Sequence, residues 1–92
     1  MEIARILEAA EFYYKKISEI MEKKGFGISP LRLEHHREVF STEQKLNHLL
    51  WLAREVPNLV SQGKINKAMR WVCFIQGVLW AMDLITIAEA KD

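Results

Sequence analysis

The chain has one cysteine, Cys73, two prolines and four glycines. A single thiol excludes an internal disulfide and a zinc site built from cysteines, and it suits a reducing compartment. Charge of one sign is also lacking: 13 basic and 12 acidic residues leave +1. The two parts of the chain are balanced as well, with 7 against 7 over residues 1–40 and 6 against 5 over residues 41–92. Non-specific nucleic-acid binding draws on an electrostatic excess, so no DNA partner is expected. No secretory leader is expected either, because MEIARILEAAEF is amphipathic and carries acids where a basic n-region would stand. A glycine-rich phosphate loop, a GxSxG elbow and an HExxH pair are all missing. The chain reads as non-enzymatic, without cofactor or metal.

What is abundant is apolar surface, at 50% of residues. Its densest stretch is MRWVCFIQGVLWAM, residues 69–82, interrupted by Arg70 and Gln76 alone. Read as a helix, Met69, Val72, Ile75, Leu79 and Met82 line one side, and Trp71, Phe74, Val78 and Ala81 line another. A helix apolar all round must be surrounded, by its own chain or by other copies. A membrane span is a poor account of it, because Gln76, Asp83 and Thr86 interrupt the apolar length needed.

The remaining pattern predicts one all-α domain over residues 1–92. A first helix is expected over 2–24, where Ile3, Ile6, Leu7, Ala10, Tyr13, Tyr14, Ile17, Ile20 and Met21 recur at helical spacing. Gly25 then ends it. Ser29-Pro30 reads as an N-cap followed by proline at the first helical position, which predicts a short helix near 31–40. Ser41 and Gln44 form a capping box opening a second helix over 42–62. Its buried face is Leu46, Leu49, Leu50, Ala53, Val56 and Val60. Pro57 either ends or kinks this helix; the apolar stripe runs past it, so a kinked helix stopped by Gly63 is expected. A third helix follows over 65–83, and a second box, Thr86 with Glu89, predicts a last short helix over 87–91. The whole is an antiparallel helical bundle.

Three clusters carry the candidate chemistry. Cys73, Gly77 and Ala81 stand at four-residue spacing and make a ridge of small side chains where another helix could approach. That helix belongs to the same chain or to a second copy. The surplus of apolar faces favours self-association into a dimer or higher homo-oligomer through helix 3, with Trp71, Cys73, Phe74, Gly77, Val78, Trp80 and Ala81 as its interface. The thiol of Cys73, in apolar surroundings, is expected to be buried and inert. Glu34-His35-His36-Arg37-Glu38 is the densest titratable cluster, yet adjacent histidines diverge by about 100° on a helix and Arg37 repels a cation. It reads as a surface or partner-facing segment. His48, Trp51 and Arg54 of helix 2, with Arg70 and Gln76 of helix 3, form a candidate ligand pocket in which arginine would pair with phosphate and tryptophan would stack on a base. A helix-turn-helix over 42–70 fails on charge and on the apolar content of its second helix.

The elements HLLW at His48–Trp51, KAMRW at Lys67–Trp71, FIQGVLW at Phe74–Trp80 and the TIAEAK ending give residues 46–92 their character. This half of the chain resembles small uncharacterised proteins of tailed bacteriophages and prophages. The resemblance implies a short protein acting in the bacterial host cytoplasm, and no functional residue comes with it. Proteins of that kind often bind and disable host machinery, including immune systems, or sequester signalling nucleotides. The expected function is therefore binding of a host protein, as an anti-defence inhibitor or adaptor. The alternative is an oligomer that sequesters a nucleotide in a pocket between helices 2 and 3 or between protomers.

Overall fold

The apolar stripes close on one another in three long helices and a short fourth. The computed structural model describes residues 2–34 and 39–91. In chain order the elements are α1 (Ile3–Lys24), α2 (Thr42–Ser61), α3 (Ile65–Ala81) and α4 (Ile87–Lys91). α1 packs chiefly on α2, α2 on α3, and α3 also on α1 and α4. The Cα radius of gyration is 12.8 Å, close to the roughly 12 Å expected for a folded chain of this length.

α1 buries Ile6, Ala10, Tyr13, Ile17 and Met21, one residue per turn along the predicted stripe. Lys23 and Lys24 sit in its last turn, where positive charge complements the exposed carbonyls. Gly25 then adopts φ 72°, the left-handed conformation that costs glycine no Cβ clash. The Gly25 N–H donates to the Glu22 carbonyl at 3.1 Å and the Phe26 N–H to Met21 at 2.9 Å, which closes the helix end.

The capping box of α2 is formed in both directions. The Gln44 N–H donates to Ser41 Oγ at 3.1 Å, and the Ser41 N–H donates to Gln44 Oε1 at 2.8 Å. α2 continues past Pro57, because Val56 and Leu59 on either side are buried and hold the backbone in register despite the missing N–H. Its core face is broader than the sequence suggests. Asn47, Leu52 and Leu59 are buried and Val60 is only half-buried. Fully burying each such aliphatic side chain contributes about 1.5–3 kcal/mol.

α3 ends at Ala81, two residues before its predicted limit, because Asp83 turns the chain with φ 59°. The Asp83 N–H donates to Trp80 and the Leu84 N–H to Leu79, at 3.0 and 2.9 Å. The second capping box is also present, with the Glu89 N–H on Thr86 Oγ1 and the Thr86 N–H on Glu89 Oε1, both at 3.1 Å. Lys16 Nζ lies 3.3 Å from the other oxygen of Glu89, tying α4 to α1. The Thr86 N–H first, and Lys16 second, hold the Glu89 carboxyl below the ordinary range.

One expectation needs correction. The short helix near 31–40 is not formed at residues 31–34 or 39–40, which carry no regular structure; His35, His36, Arg37 and Glu38 lie outside the described residues. Within its own chain, α3 is covered on one side. Ala68, Val72, Ile75 and Leu79 are buried, whereas Cys73, Phe74, Gly77, Trp80 and Ala81 are exposed. Two long helices and α4 cover only one side of a cylinder. No helix among the described residues is long and apolar enough to cross a membrane.

Candidate functional site

The helix signal at Ser29-Pro30 loses because its backbone groups are engaged elsewhere. Residues 25–34 run as a strap along α2, held by side chains at successive turns of that helix. The Gly27 N–H donates to Glu43 Oε2 at 3.0 Å. The Ser29 N–H donates to Asn47 Oδ1 at 2.7 Å, and Asn47 Nδ2 returns a bond to the Gly27 carbonyl at 3.0 Å. Asn47 Nδ2 also reaches the Glu43 carbonyl at 3.2 Å, and the Leu31 N–H donates to the backbone carbonyl of Asn47 at 3.2 Å. From the next residue of α2, His48 Nδ1 accepts the Leu33 N–H at 3.1 Å. A ring nitrogen accepts such a bond only when unprotonated. Burial is the main influence holding the His48 pKa below its ordinary value; the Leu31 backbone pulls the other way and the Arg32 charge adds to the lowering.

The strap forms one wall of a groove of about 470 Å³, whose other walls are α2 and α3. His48, Trp51 and Arg70, three of the five residues picked for a ligand pocket, line it together with Arg32, Trp71 and Phe74. His48 stacks near-parallel to Trp51, with ring centroids 6.4 Å apart. Trp51 meets Trp71 at 5.7 Å and a 42° tilt. The Arg32 guanidinium sits 5.4 Å from the Trp51 ring centroid, and Lys67 Nζ stands at the same distance from Trp71. These are cation–π distances. The groove is thus aromatic and cationic, and no carboxylate is among the described residues that line it.

Arg54 and Gln76 do not join it. Arg54 lines a separate groove beside Tyr14, Lys15 and Pro57 on the α1 side, since six positions from His48 is about 240° around a helix. Gln76 is half-buried on α3, outside the groove's lining. A third cleft, of about 400 Å³ between α1 and α4, is lined by Arg5, Glu8, Phe12 and Glu89, but Glu89 is occupied by the capping box and Lys16.

The residues picked for an oligomer interface divide in two. Trp71 and Val78 pack inward as half-buried neighbours of the core. Cys73, Phe74, Gly77, Trp80 and Ala81 face outward, Phe74 at 53% and Trp80 at 50% exposure. Cys73 is therefore an exposed thiol, not a buried one, because the buried stripe of α3 runs through Ala68, Val72, Ile75 and Leu79 instead. The small-residue ridge is exposed, and a Cβ added at Gly77 would find open space, with no atom beyond its own turn of helix within 4 Å. Among the described residues, no three His, Cys, Asp or Glu converge as metal ligands.

Sequence reasoning missed Arg32 and the structural role of Asn47. The signal for Asn47 was its position, an amide on the leucine-rich face between Leu46 and Leu50, where a buried polar group needs partners. Arg32 carried no such signal. Comparison with protein-family models, curated proteins and solved structures gave no match, so the site is read from its own geometry.

Proposed function

We propose that this is a non-enzymatic binding protein that self-associates through the outer face of α3 and acts on a protein of a bacterial host, as the resemblance to phage and prophage proteins implies. Inhibition or redirection of a defence component, in the host cytoplasm, is the role in view. The observation that carries the reading is the exposed apolar face of α3, on which Phe74 and Trp80 flank the bare Gly77 backbone. Contiguous exposed apolar surface of this kind is a mark of interaction sites.

Sedimentation velocity at micromolar concentration is the test. A dimer or larger species is expected, converted to monomer by Trp80→Asp and by Gly77→Leu. The leucine meets no atom within its own chain at Cβ, so loss of assembly isolates a contact between copies. A wild-type chain that runs as a monomer and retains no partner in host lysate overturns the reading.

A second reading, sequestration of a nucleotide, draws on the convergence of His48, Trp51, Arg70 and Arg32 in one groove. Tight ligands raise the melting temperature by mass action. Unchanged melting across a panel of cyclic and linear nucleotides removes it.

A further inference from the structure

We propose that the groove between the strap and the α2–α3 pair docks an acidic peptide segment that also bears an aromatic or leucine side chain. This rests on the reading of the chain as a protein-binding module and gives that reading a site and a partner chemistry.

Charge complementarity is the first support. Arg32 comes from the strap and Arg70 from α3, and they line one groove with no carboxylate among the described residues of its lining. Lys67, outside the groove's lining, stands over the ring of Trp71. In a chain whose charges otherwise balance, two guanidinium groups beside an aromatic floor face one exposed carboxylate, Glu34, at the Arg32 end. Guanidinium groups match carboxylates with two parallel N–H donors, and such a groove steers and orients an anionic partner.

The second support is that Arg32 is already positioned. Its cation lies over Trp51, and Glu34 Oε1 stands 3.7 Å from its Nε, both side chains being largely exposed. The chain's own carboxylate thus occupies the kind of position that a partner's would take. The strap carrying Arg32 is fixed to α2 by the bonds to Asn47 and His48, so little ordering cost remains for binding.

The same contacts favour a peptide over a nucleotide. Trp51 already packs with His48 and carries Arg32, while Trp71 packs with Trp51 and carries Lys67. A stacking base competes with these groups for the indoles. A carboxylate binds the cations without displacing them, and an apolar side chain finds the exposed ring of Phe74 beside it.

The test uses the full-length protein against an array of short peptides that combine Asp or Glu with Phe, Trp or Leu. Counterparts carry Ser or Lys in place of the acids. Retained sequences are then titrated by fluorescence anisotropy. Acidic, apolar-bearing peptides should bind, more weakly as salt rises, and lose about tenfold or more with Arg32→Glu or Arg70→Glu. Both arginines are exposed, and unchanged circular dichroism melting of the variants separates binding from folding. Phe74→Ser should weaken the same peptides. The proposal falls if no acidic peptide binds, if the Ser counterparts bind as well, or if both charge reversals leave affinity unchanged. It also falls if ATP, GTP or a cyclic nucleotide occupies the groove and acidic peptides do not. Should it fall while Trp80→Asp still dissolves the assembly, the groove assignment alone is lost; a wild-type monomer with no partner removes the reading beneath it.

Discussion

The two connections between the long helices solve the same problem in opposite ways. Residues 62–64 join α2 to α3 by closing the helix end on itself: Gly63 takes φ 77°, its N–H donates to Val60, and the Lys64 N–H donates to Leu59 at 2.9 Å. Nothing outside the last turn is required. Residues 25–41 join α1 to α2, and the backbone donors of Gly27, Ser29 and Leu33 are satisfied by side chains of Glu43, Asn47 and His48. A locally satisfied turn only sets the direction of the next helix. A strap satisfied by another helix delivers its own side chains to a fixed place, and here it sets Arg32 against Trp51.

Asn47→Ala should break the long connection hardest. It removes three side-chain bonds at a buried site, each with a net contribution of about 1 kcal/mol, so a loss of about 2–3 kcal/mol is expected in urea unfolding. A change below about 0.5 kcal/mol, the usual scale of an innocuous surface substitution, would mean that the strap stands without this anchor. Next in size is Gly63→Ala, which forces a Cβ into the left-handed region. About 1–2 kcal/mol should be lost, with the strap's amide protection unaffected, because the short turn shares no bonds with it. Asp83→Gly tests the same kind of turn from the other side. Asp83 already sits at φ 59° with the matching bonds, so glycine should raise stability by up to about 1 kcal/mol, read as a higher urea midpoint.

The smallest effect is pH-dependent and belongs to the strap alone. The folded His48 pKa is lowered, mainly by burial, so the unfolded chain binds the proton more readily. The stabilisation is complete above the unfolded value of about 6.5 and declines as pH falls below it towards the folded value. The wild-type urea midpoint should therefore drop between about pH 7.5 and pH 5.5 by more than that of His48→Phe, and amide protection of Leu33 should fade over the same window. Parallel midpoints for the two proteins would sever the strap from His48.

Much of the fold was legible because it is written locally. Both capping boxes, Ser41 with Gln44 and Thr86 with Glu89, are formed, and Gly25 and Gly63 stand with positive φ just past their helices. Each signal involves residues within one or two turns. The candidate groove was legible in part: His48, Trp51 and Arg70 meet in it, whereas Arg54 is turned towards α1. The strap was misread because Ser29-Pro30 is a good local helix start, and nothing nearby announces that Asn47, eighteen residues away, takes the Ser29 N–H.

By itself, then, the sequence determined that the chain is all-α, where its long helices begin and end to within two residues, and the centre line of the buried stripes of α1 and α2. Those properties follow from 3.6-residue periodicity and from hydrogen bonds that close within a helix end. Only the tertiary structure decided that α3 leaves Cys73, Phe74, Gly77, Trp80 and Ala81 open, and that Arg32 and Arg70 line one groove with the paired tryptophans. An apolar helix records that it needs cover, and the number of neighbours that pack against it settles which side receives that cover. The position of the strap depends on bonds between residues 15 to 20 positions apart, a separation that no local pattern encodes.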